Sequence, residues 1–313
     1  MAQETNRTAT ISNEAVRKRF NNHNAGKIIS EYIWNGIDAN AKSISIKLFY
    51  NDSELKTVYK IDILDNGDGI DFQNPDKNFD NWDSSLKGSI DEKGSQGRGR
   101  FSFYKIATEA TWFTCHKSEN ARISAYSSKI PKYTINFIAP SEQNERVLKN
   151  KKGTCVSLTN INKQQASNIP PIEDLINELS LEFGWKLIID NKLSIKVNGQ
   201  IVKPPEYELH THTKEIGGHD FTVNFIVWSK KPSTEKSYNY YYTSGLKSAY
   251  RDLTGLNYKN GFYISTYITS DWFNNFNKSK SRNLSLYEEN NSSPYSNVFK
   301  DLQLFLQSES RAC

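Results

Sequence analysis

Two short stretches decide the fold: residues 31–39 read EYIWNGIDA, and residues 65–70 read DNGDGI. The first lies in a segment, 25–41, whose isoleucines and tryptophan recur at helical spacing and predict an amphipathic helix. The asparagine at position 24 is a suitable N-cap for that helix. Three polar side chains are spaced i, i+4 and i+7 and fall on one stripe of it, namely Glu31, Asn35 and Asp38. A polar stripe on an apolar helix is typical of a solvated face or of a functional site.

The second stretch follows an alternating segment, Thr57–Leu64, which predicts a strand. Asp65 therefore places a carboxylate at the end of a strand. Gly67 and Gly69 permit positive φ angles and the close approach of a ligand to the backbone. On its own this is a common turn, so its interpretation depends on the motifs around it.

A third element is the glycine pattern Gly94-x-x-Gly97-x-Gly99, which precedes a helix predicted to begin at Phe101 and to lead into a strand by Phe113. Glycines before a helix N-terminus expose backbone N–H groups that suit phosphate. The pattern is not a P-loop, because no Gly-Lys-Ser/Thr follows it, and its glycine order is not that of a dinucleotide-binding fingerprint. Residues 71–100 are long for a connection, which is typical of a functional lid or of a disordered segment.

The rest of the chain alternates between strand and helix patterns. Strands are predicted at 43–50, 121–138 and 153–160, a helix at 172–185, and a hairpin at 193–202. Pro204-Pro205 is the strongest boundary signal. It is followed by strand patterns at 221–228, 238–243 and 261–268 and by a closing helix at 298–306. The tyrosines of 238–242 are expected to pack within a strand rather than to stack on bases.

Composition excludes several classes of protein. The 313 residues are 36% hydrophobic and 24% charged, which allows two domains and excludes wholesale disorder. The net charge of +5 is too small to indicate nucleic acid, and no apolar run is long enough to span a membrane. Cys115, Cys155 and Cys313 are far apart, which excludes a disulfide framework and predicts a reduced, cytoplasmic protein. His210 and His212 are expected in a polar loop rather than at a metal.

The motifs form a set when Gly153-Thr154, at the start of a predicted strand, is added as the fourth. In order and separation they resemble the four motifs of the GHKL ATPases. This superfamily includes gyrase-type topoisomerases, ninety-kilodalton heat-shock chaperones, histidine kinases, MutL and the MORC proteins. The pair Asp38-Ala39 groups the chain with the MutL, MORC, topoisomerase and chaperone branch rather than with the kinases.

The resemblance implies a role for each matching residue. Glu31 would be the general base that activates the water attacking the γ-phosphate of ATP, and Asn35 would be the Mg²⁺ ligand. Asp65 resembles the residue that reads the exocyclic amine of adenine. Further ATP-binding residues are implied at Asp38, Gly67, Gly69, Ile70, Lys87, Gly94, Gly97, Gly99, Arg100 and Thr154. Arg100 departs from the chaperone-type members, which have an aromatic residue there.

The resemblance also implies a fold class. An α/β sandwich is expected over residues 1–205, a Bergerat-type ATP-binding domain with a mixed, largely antiparallel sheet layered on helices. A smaller, β-rich domain of the transducer type is expected over residues 206–313. In related proteins such a domain sends a lysine or other polar side chain to the γ-phosphate, and the candidates here are Lys247, Lys278 and Lys280.

The expected function is slow, Mg²⁺-dependent ATP hydrolysis, with closure of the lid and ATP-dependent formation of a homodimer. The output would be a DNA-directed or antiviral (phage-defence) machine, with DNA or an effector protein as a possible partner and no membrane. Two alternatives remain open from the sequence. One is a chaperone-like ATPase that acts on protein clients, and the other is a non-hydrolysing interaction domain gated by ATP.

Overall fold

The computed structural model describes residues 4–8 (backbone only), 14, 17–18, 20–52, 54, 56–73, 99–230, 237–256, 263–277 and 292–310. The chain divides into two compact units between Pro204 and Pro205. None of the helices in these ranges is long and apolar enough to cross a membrane. The predictions for Lys87, Gly94, Gly97, Lys278 and Lys280 fall outside the described residues.

The first unit is a mixed sheet layered on helices. Its described strands are β1 (Glu4–Thr8), β2 (Ser43–Tyr50), β3 (Val58–Asp65), β4 (Glu109–His116), β5 (Glu119–Tyr126), β6 (Lys132–Phe137), β7 (Gly153–Thr159), β8 (Ser194–Val197) and β9 (Gln200–Ile201). They form one sheet in the order β1-β6-β5-β4-β7-β3-β2-β8-β9. Only β2 and β8 pair in parallel; the other neighbours are antiparallel.

The described helices of this unit are α1 (Ala25–Asp38), α2 (Glu145–Asn150), α3 (Lys163–Ser167) and α4 (Ile172–Ile189), with 3₁₀ helices at Gly99–Lys105 and Pro140–Glu142. The two long helices, α1 and α4, bury their apolar faces in a core shared with the sheet. Trp34 of α1 packs on Phe183 of α4, with ring centroids 4.9 Å apart. Its indole N–H donates to Glu182 at 3.0 Å. These contacts fix the helix that carries the polar stripe.

Strand alternation determines which side chains of β3 face the helices. Ile61 and Ile63 are buried in the core, and Asp65, two residues further along the same face, is only 8% exposed. Because side chains alternate along a strand, the carboxylate enters the helix-facing layer of the sandwich.

The second unit has a smaller sheet and one long helix in its described part. The strands are β10 (Tyr207–Ile216), β11 (His219–Trp228), β12 (Tyr238–Tyr242), β13 (Ser248–Leu253) and β14 (Ile264–Thr269), in the order β10-β11-β14-β12-β13. Helix α5 (Asn297–Glu309) contributes Phe299, Leu302 and Leu306 to its core. Tyr241 is fully buried in that core, whereas Tyr240 stacks on Tyr267 with centroids 4.9 Å apart. The tyrosines therefore pack within the strand and its neighbours, as expected.

The predicted fold class is confirmed, an α/β sandwich with a mixed sheet followed by a smaller β-rich unit. The helix expected from Phe101, leading into a strand, is present as a short 3₁₀ helix, Gly99–Lys105, followed by the strand β4 from Glu109. One local prediction is wrong. The loop expected around His210 and His212 is the strand β10. Its side chains are exposed on both faces, so its sequence lacks the alternation by which strands are recognised.

Candidate functional site

The polar stripe of α1 is presented by a well-defined helix. The Asn24 side chain caps it by accepting from the backbone N–H of Lys27 at 2.8 Å, as the sequence predicts. Glu31 and Asp38 are half-buried, whereas Asn35 is exposed. A carboxylate and an amide four residues apart lie on the same side of the helix, so they can act on one ligand.

Asp65 ends β3, paired with Ile44 on one side and with Thr154 on the other. Its Oδ1 accepts a hydrogen bond from the backbone N–H of Gly67 at 2.8 Å. Burial raises the pKa of Asp65 to about 6, against the lowering effect of the Gly67 and Thr154 N–H groups. This carboxylate is held in an environment that disfavours its charge, which is typical of a functional position.

Gly36, which the sequence interpretation missed, allows α1 to approach Asp65. A Cβ at Gly36 would lie 2.9 Å from the Cβ of Asp65 and 3.2 Å from Cδ1 of Ile44. Neither neighbour is the tip of a flexible polar side chain, so the helix would have to move. The sequence signal was a glycine inside a helix, which usually indicates a close packing contact.

The loop after β3 is packed against the protein on two sides. A Cβ at Gly67 would lie 2.6 Å from the carbonyl oxygen of Ala39, at the end of α1. Gly69 has φ +77°, and a Cβ there would lie 2.2 Å from the carbonyl oxygen of Cys115 on β4. These glycines are therefore required by the protein's own packing, whether or not a ligand also approaches them.

Thr154 belongs to a small hydroxyl cluster beside this loop. Thr114 on β4 lies 3.1 Å from Thr154, hydroxyl to hydroxyl, and both side chains are buried. The Thr114 hydroxyl also accepts from the backbone N–H of Ile70 at 2.8 Å. Thr114 was not predicted, because only the strand pairing places it opposite Thr154.

Glu31 meets the last glycine of the third motif. A Cβ at Gly99 would lie 2.3 Å from Oε2 of Glu31. The following residue, Arg100, is buried, and its carbonyl oxygen accepts from the Tyr32 hydroxyl at 3.0 Å. The structure thus places Gly99 directly against the candidate base.

The four motifs, although far apart along the chain, contact one another at two points, one around Asp65 and one around Glu31. Gly36 of α1 lies against Asp65, which pairs with Thr154, and Gly99 lies against Glu31. The side chain of Asn35 fits the implied metal. It is an exposed amide on α1, and Mg²⁺ takes few protein oxygens as ligands alongside phosphates.

A family model described as histidine kinase-, DNA gyrase B-, and HSP90-like ATPase matches residues 23–154. That segment runs from the cap of α1 to Thr154. Residues 23–154 therefore carry a domain of the GHKL ATPase type. The predicted family is thereby confirmed for this segment.

Two solved structures align with nearly the whole chain. One is the N-terminal domain of a DNA repair protein, with 13% identity, 96% of each chain covered and a TM-score of 0.48. Another is the 43K ATPase domain of Thermus thermophilus gyrase B in complex with an aminocoumarin, with 13% identity, 96% of this chain and 91% of that chain covered, and a TM-score of 0.45. No curated protein matches the sequence.

Proposed function

We propose that this GHKL domain binds ATP with Mg²⁺ and hydrolyses it slowly. The observation that carries the proposal is that each candidate carboxylate lies against a glycine of another motif. Glu31 faces Gly99, and Asp65 faces Gly36. A solvated helix face and an ordinary turn would not require such contacts.

Glu31 is the proposed general base. Its carboxylate would accept the proton of the water that attacks the γ-phosphate, while Asn35, one turn further along α1, would hold Mg²⁺ through its amide oxygen. The chemistry that Mg²⁺ supplies when bound is charge neutralisation on the phosphates. Asp38 is placed on the same stripe, and Gly99 with Arg100 follows the lid segment that would bring Lys87, Gly94 and Gly97 to the phosphates.

Asp65 is the proposed reader of adenine. Its carboxylate accepts a hydrogen bond from the exocyclic amine, supported by Thr154 and by the backbone of the Gly67-to-Ile70 loop. Guanine presents a carbonyl oxygen in place of that amine, so its lone pairs would face the carboxylate. A buried acceptor left without a donor is strongly unfavourable, which supports selectivity for ATP over GTP.

We further propose that ATP closes the lid and joins two chains into a homodimer. The β-rich second unit, 206–313, would act as a transducer towards a DNA-directed or phage-defence machine in the cytoplasm. The Asp38-Ala39 pair, which groups the chain with the MutL, MORC, topoisomerase and chaperone branch, favours such a machine over a histidine kinase.

The test begins with calorimetry of ATP binding with Mg²⁺ and with EDTA. Wild-type protein should bind ATP with Mg²⁺, bind GTP far more weakly, and release phosphate. Glu31→Gln should bind ATP but lose about 10²–10⁴-fold in turnover. Glu173→Gln, at an exposed position on α4, is the matched control and should retain turnover.

A protein that binds no ATP would refute the proposal. If wild type and Glu31→Gln both bind ATP with no turnover in either, hydrolysis is wrong and the domain is an ATP-gated switch. Gel filtration with a non-hydrolysable ATP analogue should give a dimer, and a monomer at saturation would overturn the proposed gating.

A further inference from the structure

The side chain of Asp68 connects the adenine loop to two other elements. Its Oδ2 accepts from the side-chain amide of Asn40 at 2.6 Å, just beyond the end of α1. Its Oδ1 lies 3.4 Å from Nζ of Lys152, the residue before β7. These contacts span the loop between Asp65 and Ile70 from both sides.

The backbone of Asp68 is held as well. Its N–H donates to the carbonyl oxygen of Ala39 at 2.7 Å. Its carbonyl oxygen lies 2.8 Å from Nδ1 of His116, the last residue of β4. Loop residue 68 is therefore fixed through main chain and side chain together, three positions after the carboxylate that is proposed to read adenine.

Asn40 follows α1 in a turn conformation. Its φ is +63°, a left-handed conformation that asparagine adopts more readily than most residues. This turn places its side chain on Asp68 immediately after the helix carrying Glu31 and Asn35. The hydrogen bond between Asn40 and Asp68 thus links α1, the helix proposed to bind the metal and the water, to the loop proposed to bind adenine.

We propose that Asp68 is a positioning residue for nucleotide binding, which fixes the Asp65 loop to the end of α1 through Asn40 and to the start of β7 through Lys152. This inference rests on the proposed function, in that ATP is the ligand. Asp68 itself need not contact the nucleotide, since it acts through the position of Asp65.

The charge of Asp68 affects the pKa of Asp65, so the proposal can be tested by the pH dependence of ATP binding. The hydrogen bond from Asn40 holds the pKa of Asp68 below its usual value, so its carboxylate stays charged near neutral pH. That charge adds to burial in raising the pKa of Asp65. On β7 the pairing partner of Asp65 is Thr154. The neighbouring Cys155, whose burial raises the pKa of its thiol to about 12 and keeps it neutral, packs with Leu64 on the opposite face of the sheet. On the α1 side Asp65 meets Gly36, and on β2 its pairing partner is Ile44.

Two variants separate the effect of the Asn40–Asp68 hydrogen bond from the effect of the Asp68 charge. Asn40→Ala removes the hydrogen bond and keeps the charge, so ATP affinity at pH 7.5 should fall about tenfold. Turnover at saturating ATP should remain that of wild type, because the catalytic carboxylate is untouched. Asp68→Asn removes the charge and keeps an oxygen for Asn40, so the pH below which ATP binding weakens should move to lower values.

Affinities are measured by calorimetry from pH 5 to pH 8 on the full chain. Because each variant is compared with wild type at the same pH, protonation of ATP itself cancels. Asn51→Ala is the matched control, since it removes a similar 2.7 Å side-chain hydrogen bond, to Thr57, in the β2–β3 connection. It should leave ATP affinity unchanged, with thermal unfolding reporting any loss of stability in all variants.

The inference would be overturned if Asn40→Ala bound ATP with wild-type affinity. It would also be overturned if the pH below which ATP binding weakens were the same in Asp68→Asn as in wild type. Equal loss of affinity in Asn40→Ala and Asn51→Ala would also overturn it, because general destabilisation would then explain the loss. These outcomes are distinct from failure of the proposed function, in which wild type itself binds no ATP.

Discussion

Replacing Asp65 by asparagine should stabilise the unliganded protein while removing the carboxylate that is proposed to select adenine. Burial raises the pKa of this carboxyl from 3.8 to about 6. A difference of roughly two pKa units corresponds to about 3 kcal/mol of unfavourable free energy for the ionised form in the folded state. Asparagine has the same shape without the charge, and its amide oxygen can still accept from the N–H of Gly67.

The sign of the pH dependence follows from the raised pKa. Between the two pKa values the folded state binds more protons than the unfolded state, so the Asp65 contribution to stability is present below about pH 4. It is lost as the pH rises through about 6. The advantage of Asp65→Asn over wild type should therefore be small at pH 4 and reach about 3 kcal/mol near pH 8.

Urea unfolding at several pH values measures this advantage. Between pH 5 and pH 8 the difference in free energy of unfolding should grow by about 1–2 kcal/mol in favour of Asp65→Asn. Asp52→Asn, at an exposed position in the β2–β3 connection, is the control and should show no such growth. A difference that is the same at every pH, or that favours wild type at pH 8, would refute the reasoning.

Two further predictions concern packing. Gly36→Ala should weaken ATP binding and destabilise the fold by about 1–3 kcal/mol, because its Cβ would lie 2.9 Å from that of Asp65. Gly255→Ala is its control, with no atom within 4 Å of the new Cβ, and equal loss in both would contradict the explanation. In α5, Leu302→Ala should cost about 2–5 kcal/mol in urea unfolding, because Leu302 is fully buried. Leu304 is 64% exposed, so Leu304→Ala should leave the free energy of unfolding nearly unchanged. A loss as large as that of Leu302→Ala would show that burial does not determine the loss of stability.

The elements with strong periodicity were predictable from the sequence. The cap of α1 at Asn24 and the bounds of β2 follow the prediction, because capping chemistry and alternation act locally. The strand β10 was not predictable, since it lies at the edge of its sheet with nearly every side chain exposed. Pairing with β11, rather than burial of one face, makes it a strand.

The residue types of the candidate site could be predicted, but their contacts could not. Asp68 and Asn40 are ordinary turn residues in the sequence, and only the folded chain brings them within 2.6 Å. Thr114 likewise gains its place beside Thr154 from the register of β4 and β7. Local patterns specify what a segment forms, whereas these pairs depend on how segments far apart in the chain are packed.

The contacts of the two carboxylates explain why four weak motifs are informative together. Asp65 occupies space that a side chain at position 36 would fill, and Glu31 occupies space that a side chain at position 99 would fill. Each motif therefore restricts the residue allowed in another, although they are separated along the chain. A turn such as DNGDG is common by itself, but a turn whose buried carboxylate requires a glycine within the neighbouring helix is not. The physical dependence between motifs, rather than any one of them, supports the proposed site.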